Sequence, residues 1–205
     1  MKTLVLTVLT YLASLPVVWA QALTDDSLIR QHFTAQEIVG LQQIVAFFDQ
    51  QVRQSCPSGE DMHRCYRDYL ENLIGTPANG VLDLKITQEK ETAFLKSLDK
   101  ALFDNIWKYS EGTTSTDDST YAVGTYLDYK HHGAYLTFLE SVAQHDDTLT
   151  LDPYLAAYKA SGSVSPSMVG YFVYKYTMFD TRIPRHRLIL AVHYLIVNTG
   201  PAINQ

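Results

Sequence analysis

Apolar residues recur along most of this chain at alternating spacings of three and four, the repeat of an amphipathic helix. The segment Phe33-Thr34-Ala35-Gln36-Glu37-Ile38 opens the first long element. Thr34 followed three residues later by Glu37 is a capping box, and Phe33 with Ile38 is placed as its hydrophobic staple. Ile38, Leu41, Val45, Phe48 and Val52 then form a single stripe. A second helix is predicted over about 62–74, with Tyr66, Tyr69, Leu70 and Leu73 inward. A turn-rich connector follows, and a third helix is predicted from about Thr87 to Tyr109 with Phe94, Leu98, Leu102 and Ile106 as its stripe.

Residues 112–120, Gly-Thr-Thr-Ser-Thr-Asp-Asp-Ser-Thr, contain no apolar side chain and predict a mobile loop. A fourth helix is expected over about 121–144, carrying Leu127, His131, Ala134, Phe138 and Val142, with Gly124 and Gly133 weakening it. Asp152-Pro153, closed by Gly162, and Ser165-Pro166 mark two short helices through cap, first-position proline and terminal glycine. The last helix, about 183–198, begins near Pro184. Residues 188–197 are apolar on every side except at His193, which predicts a buried helix, with a strand as the alternative given the Val and Ile content. The pattern as a whole predicts an all-α fold over residues 23–205. It is a single compact bundle of six to seven helices with a buried apolar C-terminal helix.

Residues 1–22 follow a different pattern. Lys2 precedes an apolar run, and Ala20-Gln21-Ala22 has the small-x-small form accepted by signal peptidase. Cleavage is expected after Ala22, with Ala20 as the alternative. The run is short of the roughly 20 apolar residues of a membrane span. No stable anchor is therefore expected after cleavage, and the mature chain is read as exported, periplasmic or extracellular. Cys56 and Cys65, the only two cysteines, then read as one disulfide across a loop of about ten residues, worth about 2–3 kcal/mol by loop entropy. It would staple the corner between the first two helices. A metal site using both thiolates and His63 lacks a fourth ligand, so no metal or cofactor is expected.

Charge is unevenly spread. The chain carries −6 overall, and −7 once Lys2 is removed. Residues 23–174 hold 11 Lys/Arg against 21 Asp/Glu, whereas residues 175–205 hold Lys175, Arg182, Arg185 and Arg187 against Asp180 alone. No extended basic face exists for nucleic acid. Arg182, Arg185, His186 and Arg187 nevertheless crowd the start of the last helix, where the backbone already carries partial positive charge. Facing outward, they would contact a partner or a small anion. Facing inward, they would pair with acids of the body such as Asp146, Asp147 or Asp152. The internal pairing is the expected arrangement.

Catalytic patterns are sparse. On a helix, Asp128 would reach His131 or His132 and could orient a base. His193 lies in the most apolar segment, on nearly the same face as His186, and reads as a hydrogen-bonded core histidine or a pocket residue. Ser97-Leu98-Asp99-Lys100 matches a Ser-x-x-Lys pattern without the companion motifs of the enzymes that use it. The adjacent pair Asp146-Asp147, after His145, reads as a solvated helix end. Fourteen tyrosines suit half-buried helix faces or a binding surface. The expected function is a small exported helical protein, a non-enzymatic binding or interaction module acting on another exported protein. The alternatives are a hydrolase-type enzyme using Asp128, His131, His132 or His193, and a small-ligand carrier.

Overall fold

The computed structural model describes residues 23–57, 59–74, 82, 84–115 and 121–198. The expected cut after Ala22 and most of the connector after the second helix lie outside them. The elements are α1 (Ser27–His32), α2 (Ala35–Gln54), α3 (Met62–Ile74), α4 (Gln88–Ser97), α5 (Lys100–Ile106), β1 (Trp107–Ser115), β2 (Tyr121–Tyr129), α6 (Ala134–His145), α7 (Asp152–Ser161), α8 (Pro166–Tyr174) and α9 (Pro184–Asn198), with a 3-10 turn at Tyr176–Met178. The protein is mostly helical, and β1 and β2 form an antiparallel hairpin.

Local chemistry sets the helix starts. The Thr34 hydroxyl accepts from the Glu37 N–H at 3.2 Å, and the Glu37 carboxylate accepts from the Thr34 N–H at 2.8 Å. Both orphan donors at the start of α2 are thereby satisfied. Ile38, Leu41, Val45, Phe48 and Val52 are all buried, as their spacing requires. The Cys56–Cys65 disulfide joins the end of α2 to the first turn of α3. Asp152 is itself the first residue of α7, rather than its cap, and Leu151 precedes it. Gly162 closes α7 at φ 70°, a backbone conformation glycine adopts without steric cost.

The middle of the chain departs from the helical reading. The single helix expected from Thr87 to Tyr109 breaks at Leu98, whose backbone is extended, and restarts because Asp99 caps the Ala101 and Leu102 N–H groups at 2.9 and 3.1 Å. From Trp107 the chain becomes a strand. Residues 112–115 continue β1 rather than forming a loop, while 116–120 lie outside the described residues. The helix expected over 121–144 is β2, a turn and then α6. Trp, Tyr, Thr and Val are dense in 107–115 and 121–129, and they favour a pleated, half-buried surface over a helix. In register, Trp107 pairs with Tyr129 and Tyr109 with Leu127. The run from Leu127 through His131 to Ala134 therefore had helical spacing without a helix beneath it.

The break at 130–133 is sterically enforced. A Cβ on Gly133 would lie 2.4 Å from the Asn105 carbonyl oxygen, so only glycine lets the start of α6 sit against the end of α5. His132 just before it is held at φ 57°.

α9 occupies the centre. Residues 186–196 are all buried, and the helix packs on α2 and β2. Phe48 stacks on Tyr194 with 5.6 Å between ring centroids. Around this axis the tyrosine bodies fill the core, and several hydroxyls find polar partners: Tyr66 donates to Asp49 at 2.7 Å and Tyr69 to the Leu84 carbonyl at 2.9 Å. The Tyr135 and Tyr194 hydroxyls, by contrast, are buried without a hydrogen bond among the described residues.

Candidate functional site

The basic stretch before and within the start of α9 supplied the most unusual signal in the sequence, and it is turned inward. Arg185 Nε donates to Asp146 Oδ2 at 2.8 Å and its NH1 to Asp26 Oδ2 at 2.9 Å, while NH2 lies 2.6 Å from Asp146. Asp26 also caps α1 through its other oxygen. The same Asp146 oxygen receives His186 Nε2 at 2.9 Å. The Asp180 N–H donates to His186 Nδ1 at 3.0 Å, so that nitrogen carries a lone pair and the ring proton resides on Nε2. Burial pushes the His186 pKa down, against the pull of Asp146. Burial also pushes the Asp146 carboxyl up, but the bonds from His186, Thr148 and Arg185 outweigh it and hold the group well below the usual carboxylate range. Asp146 is thus buried and fully engaged, not a solvated helix end.

Arg187 continues the pattern one face away. It is 1 % exposed and donates to Asp49 Oδ2 at 2.8 Å, while Tyr66 holds the other oxygen of that carboxylate. Arg182 stays exposed and forms a two-point pair with Asp180 at 2.8 Å for both bonds. Each cation of the cluster therefore faces an acid of this chain. Asp146 was foreseeable as a partner. Asp26 and Asp49 carried no local signal, because they precede their partners by 159 and 138 positions.

The Asp128–histidine pair does not form. Asp128 lies on a strand, fully buried, and its Oδ1 accepts from the Tyr129 N–H at 2.7 Å and the Val164 N–H at 3.3 Å. Its Oδ2 has no hydrogen-bond partner, and burial pushes its pKa up. His131 Nε2 instead donates to the Gly162 carbonyl at 2.8 Å, and its ring lies against Tyr158. His193 is buried in the core, where its Nδ1 meets the Tyr154 hydroxyl at 3.0 Å and that hydroxyl meets Tyr129 at 3.0 Å. Burial drives the His193 pKa down to about 3, opposed only in part by the Val169 backbone. Tyr129, Tyr154 and the neutral His193 ring thus form a buried hydrogen-bonded chain. His186 and His193 share α9, but the first serves the Asp146 network and the second this tyrosine chain. Ser97 donates to the Phe94 carbonyl and Lys100 pairs with Asp104, so the Ser-x-x-Lys match has no chemical counterpart.

Two outer surfaces remain. A hollow of about 230 Å³ between α6 and α7 is lined by His131, His132, Leu136, Glu140, Tyr158 and Lys159, and a Glu140–Lys159 ion pair of 2.7 Å crosses it. An adjoining, more open groove of about 480 Å³ between the same helices is lined by Glu140, Gln144, Asp152, Leu155 and Lys159. The second surface is the corner of α8 and α3. Tyr174 is 75 % exposed and its ring lies along its own helix over Gly170, where a Cβ would come within 3.0 Å of the ring. Beside it in sequence, Tyr176 donates to Glu71 at 2.8 Å, and Ile74, one turn beyond Glu71, is exposed. Tyr171, on the same helix, is tied to the Thr150 carbonyl at 2.6 Å.

Among the described residues no group of three His, Cys, Asp or Glu side chains gathers as a metal site, and no helix is long and apolar enough to cross a membrane. Comparison with protein-family models, with curated proteins and with solved structures finds no match for this chain.

Proposed function

We propose that this chain is a small exported helical protein that binds another exported protein through the aromatic corner of α8 and α3. The bundle, centred on its apolar C-terminal helix, serves as a rigid mount for that corner. The observation that carries the reading is Tyr174: a large aromatic side chain left in solvent, yet steadied on Gly170 and flanked by tyrosines whose hydroxyls are already fixed. Rigid aromatic groups with little entropy left to lose are the side chains that dominate protein interfaces. The hydrolase alternative is disfavoured because, among the described residues, no hydrogen bond joins Asp128 to His131, His132 or His193: Asp128 accepts from backbone N–H groups, and His131 and His193 are held by other partners.

The test is a photo-crosslinking residue placed at position 174 and, separately, at exposed Thr125 on the hairpin, in the exported fraction of the producing cell. A single discrete adduct specific to position 174, whose purified partner binds the Tyr174→Ala variant at least about tenfold more weakly, is the expected result. Equal labelling from both positions, or unchanged affinity in Tyr174→Ala, would refute the proposal. Mass spectrometry of the exported protein reads the processing site directly, with Leu23 as the expected first residue.

A further inference from the structure

The disulfide is asymmetric in a way that a passive staple need not be. Cys65 Sγ is buried, with the residue 1 % exposed, whereas Cys56 is only partly buried. Arg53, in the last turn of α2, places NH1 3.4 Å from Cys65 Sγ. The same NH1 is fixed by the Glu60 carbonyl at 2.6 Å, so the guanidinium is positioned on that sulfur and not swinging past it. Cys65 also lies in the first turn of the 13-residue α3, the positive end of the helix. Asp61 caps that turn by accepting from the Arg64 N–H at 3.0 Å, which leaves Arg53 as the dominant cation at the sulfur. Glu60, whose carbonyl holds Arg53, has its carboxylate drawn off by Arg64 at 3.3 Å.

We infer that Cys56–Cys65 is a thiol-exchange site, attacked at Cys56 by a low-molecular-weight thiolate, with Cys65 as the stabilised leaving group. The attacking thiolate forms a new S–S bond to Cys56 Sγ. The Cys56–Cys65 bond breaks and its electron pair goes to Cys65 Sγ, which departs as a thiolate beside Arg53. A second thiolate then displaces Cys56 from the mixed disulfide. Both cysteines end reduced, and the small thiol ends as its own disulfide. Exchange is fastest when the more accessible sulfur is the one attacked and the departing thiolate is stabilised; partly buried Cys56 beside buried Cys65, and Arg53 at the Cys65 sulfur, supply those two features. The opened corner carries the first turn of α3, whose His63 Nδ1 lies 2.9 Å from the Thr181 hydroxyl, so the chemistry reaches the segment that leads into α9. None of this depends on the tyrosine surface.

The experiment equilibrates the folded mature chain with glutathione buffers, quenches with acid and maps the thiols by mass spectrometry. The expected mixed disulfide sits on Cys56 with Cys65 as the free thiol. Arg53→Gln should slow exchange about tenfold and shift the equilibrium about tenfold toward the disulfide, roughly 30 mV for this two-electron couple. Arg64→Gln should leave both within about twofold, since its guanidinium faces Glu60 instead. A mixed disulfide on Cys65, exchange no faster than in a urea-unfolded control, or an Arg53→Gln variant equal to the parent would each overturn the inference. The Cys65 thiol in Cys56→Ser supplies a second readout. It should titrate below the free-cysteine value of about 8.5 and rise when Arg53→Gln is added, and an unshifted titration also overturns it.

Discussion

Arg185 is held by two carboxylates from distant parts of the sequence, Asp26 and Asp146, both almost fully buried. Removing it leaves two acids without their counter-charge in a site where water is scarce. Arg185→Met should therefore cost about 3 kcal/mol in urea unfolding. Arg182→Ala, which frees an exposed pair, should cost less than about 1 kcal/mol. Similar losses for the two variants would show that the inward network contributes no more than an ordinary surface pair. The contrast separates residues that looked alike in the sequence. Three arginines within six positions suggested one surface, yet a helix turns about 100° per residue. Arg185 and Arg187 accordingly serve different acids, and only Arg182, before the helix begins, stays in solvent.

At the scale of elements, the sequence was readable wherever a local chemical rule and the packing agreed. Thr34 with Glu37, the stripe from Ile38 to Val52, the Gly162 stop and the Cys56–Cys65 pair each follow from neighbours within a few positions. The hairpin was not readable, because its evidence is the pairing of 107–115 with 121–129 and no single segment contains both sides. Phe94, Leu98, Leu102 and Ile106 do face the core, so the apolar positions were right while the element joining them was wrong. The inward site was half legible: the need for acids opposite the arginines followed from charge, but Asp26 and Asp49 could not be named without the fold. Gly133 is the element-scale point of failure. Gly133→Ala drives a Cβ into the Asn105 carbonyl, a backbone atom with little room to yield, and should cost about 2 kcal/mol. A thermal midpoint unchanged from the parent would mean that the junction of α5 and α6 can open without loss.

At the scale of the whole molecule, buried titratable groups oppose one another across the pH range. Glu91 is fully buried, with Oε2 accepting from Asn198 Nδ2 at 2.6 Å, and burial raises its pKa to about 7. Its folded form retains a proton that the unfolded chain releases near 4.5, so its contribution is complete below 4.5 and is lost as pH rises toward 7. His193 works the other way: its contribution is complete above 6.5 and is lost as pH falls toward 3. Asp128 and Asp49, raised by burial, side with Glu91, and His186 sides with His193. Between about pH 4.5 and 6.5 the slopes cancel and stability should be nearly flat. Glu91→Gln should lift stability at pH 8 by about 3 kcal/mol and make the curve climb through that window. A Glu91→Gln curve parallel to the parent's would mean that the carboxyl is not protonated in the fold. The central position of α9 carries a further consequence, for the order of events in synthesis. Among the described elements the helix at the middle of the core is made last, and Asp26 and Asp49 wait for its arginines through more than a hundred residues. The ion pairs that join Asp26 and Asp49 to the core therefore form late in synthesis, only once α9 has been made.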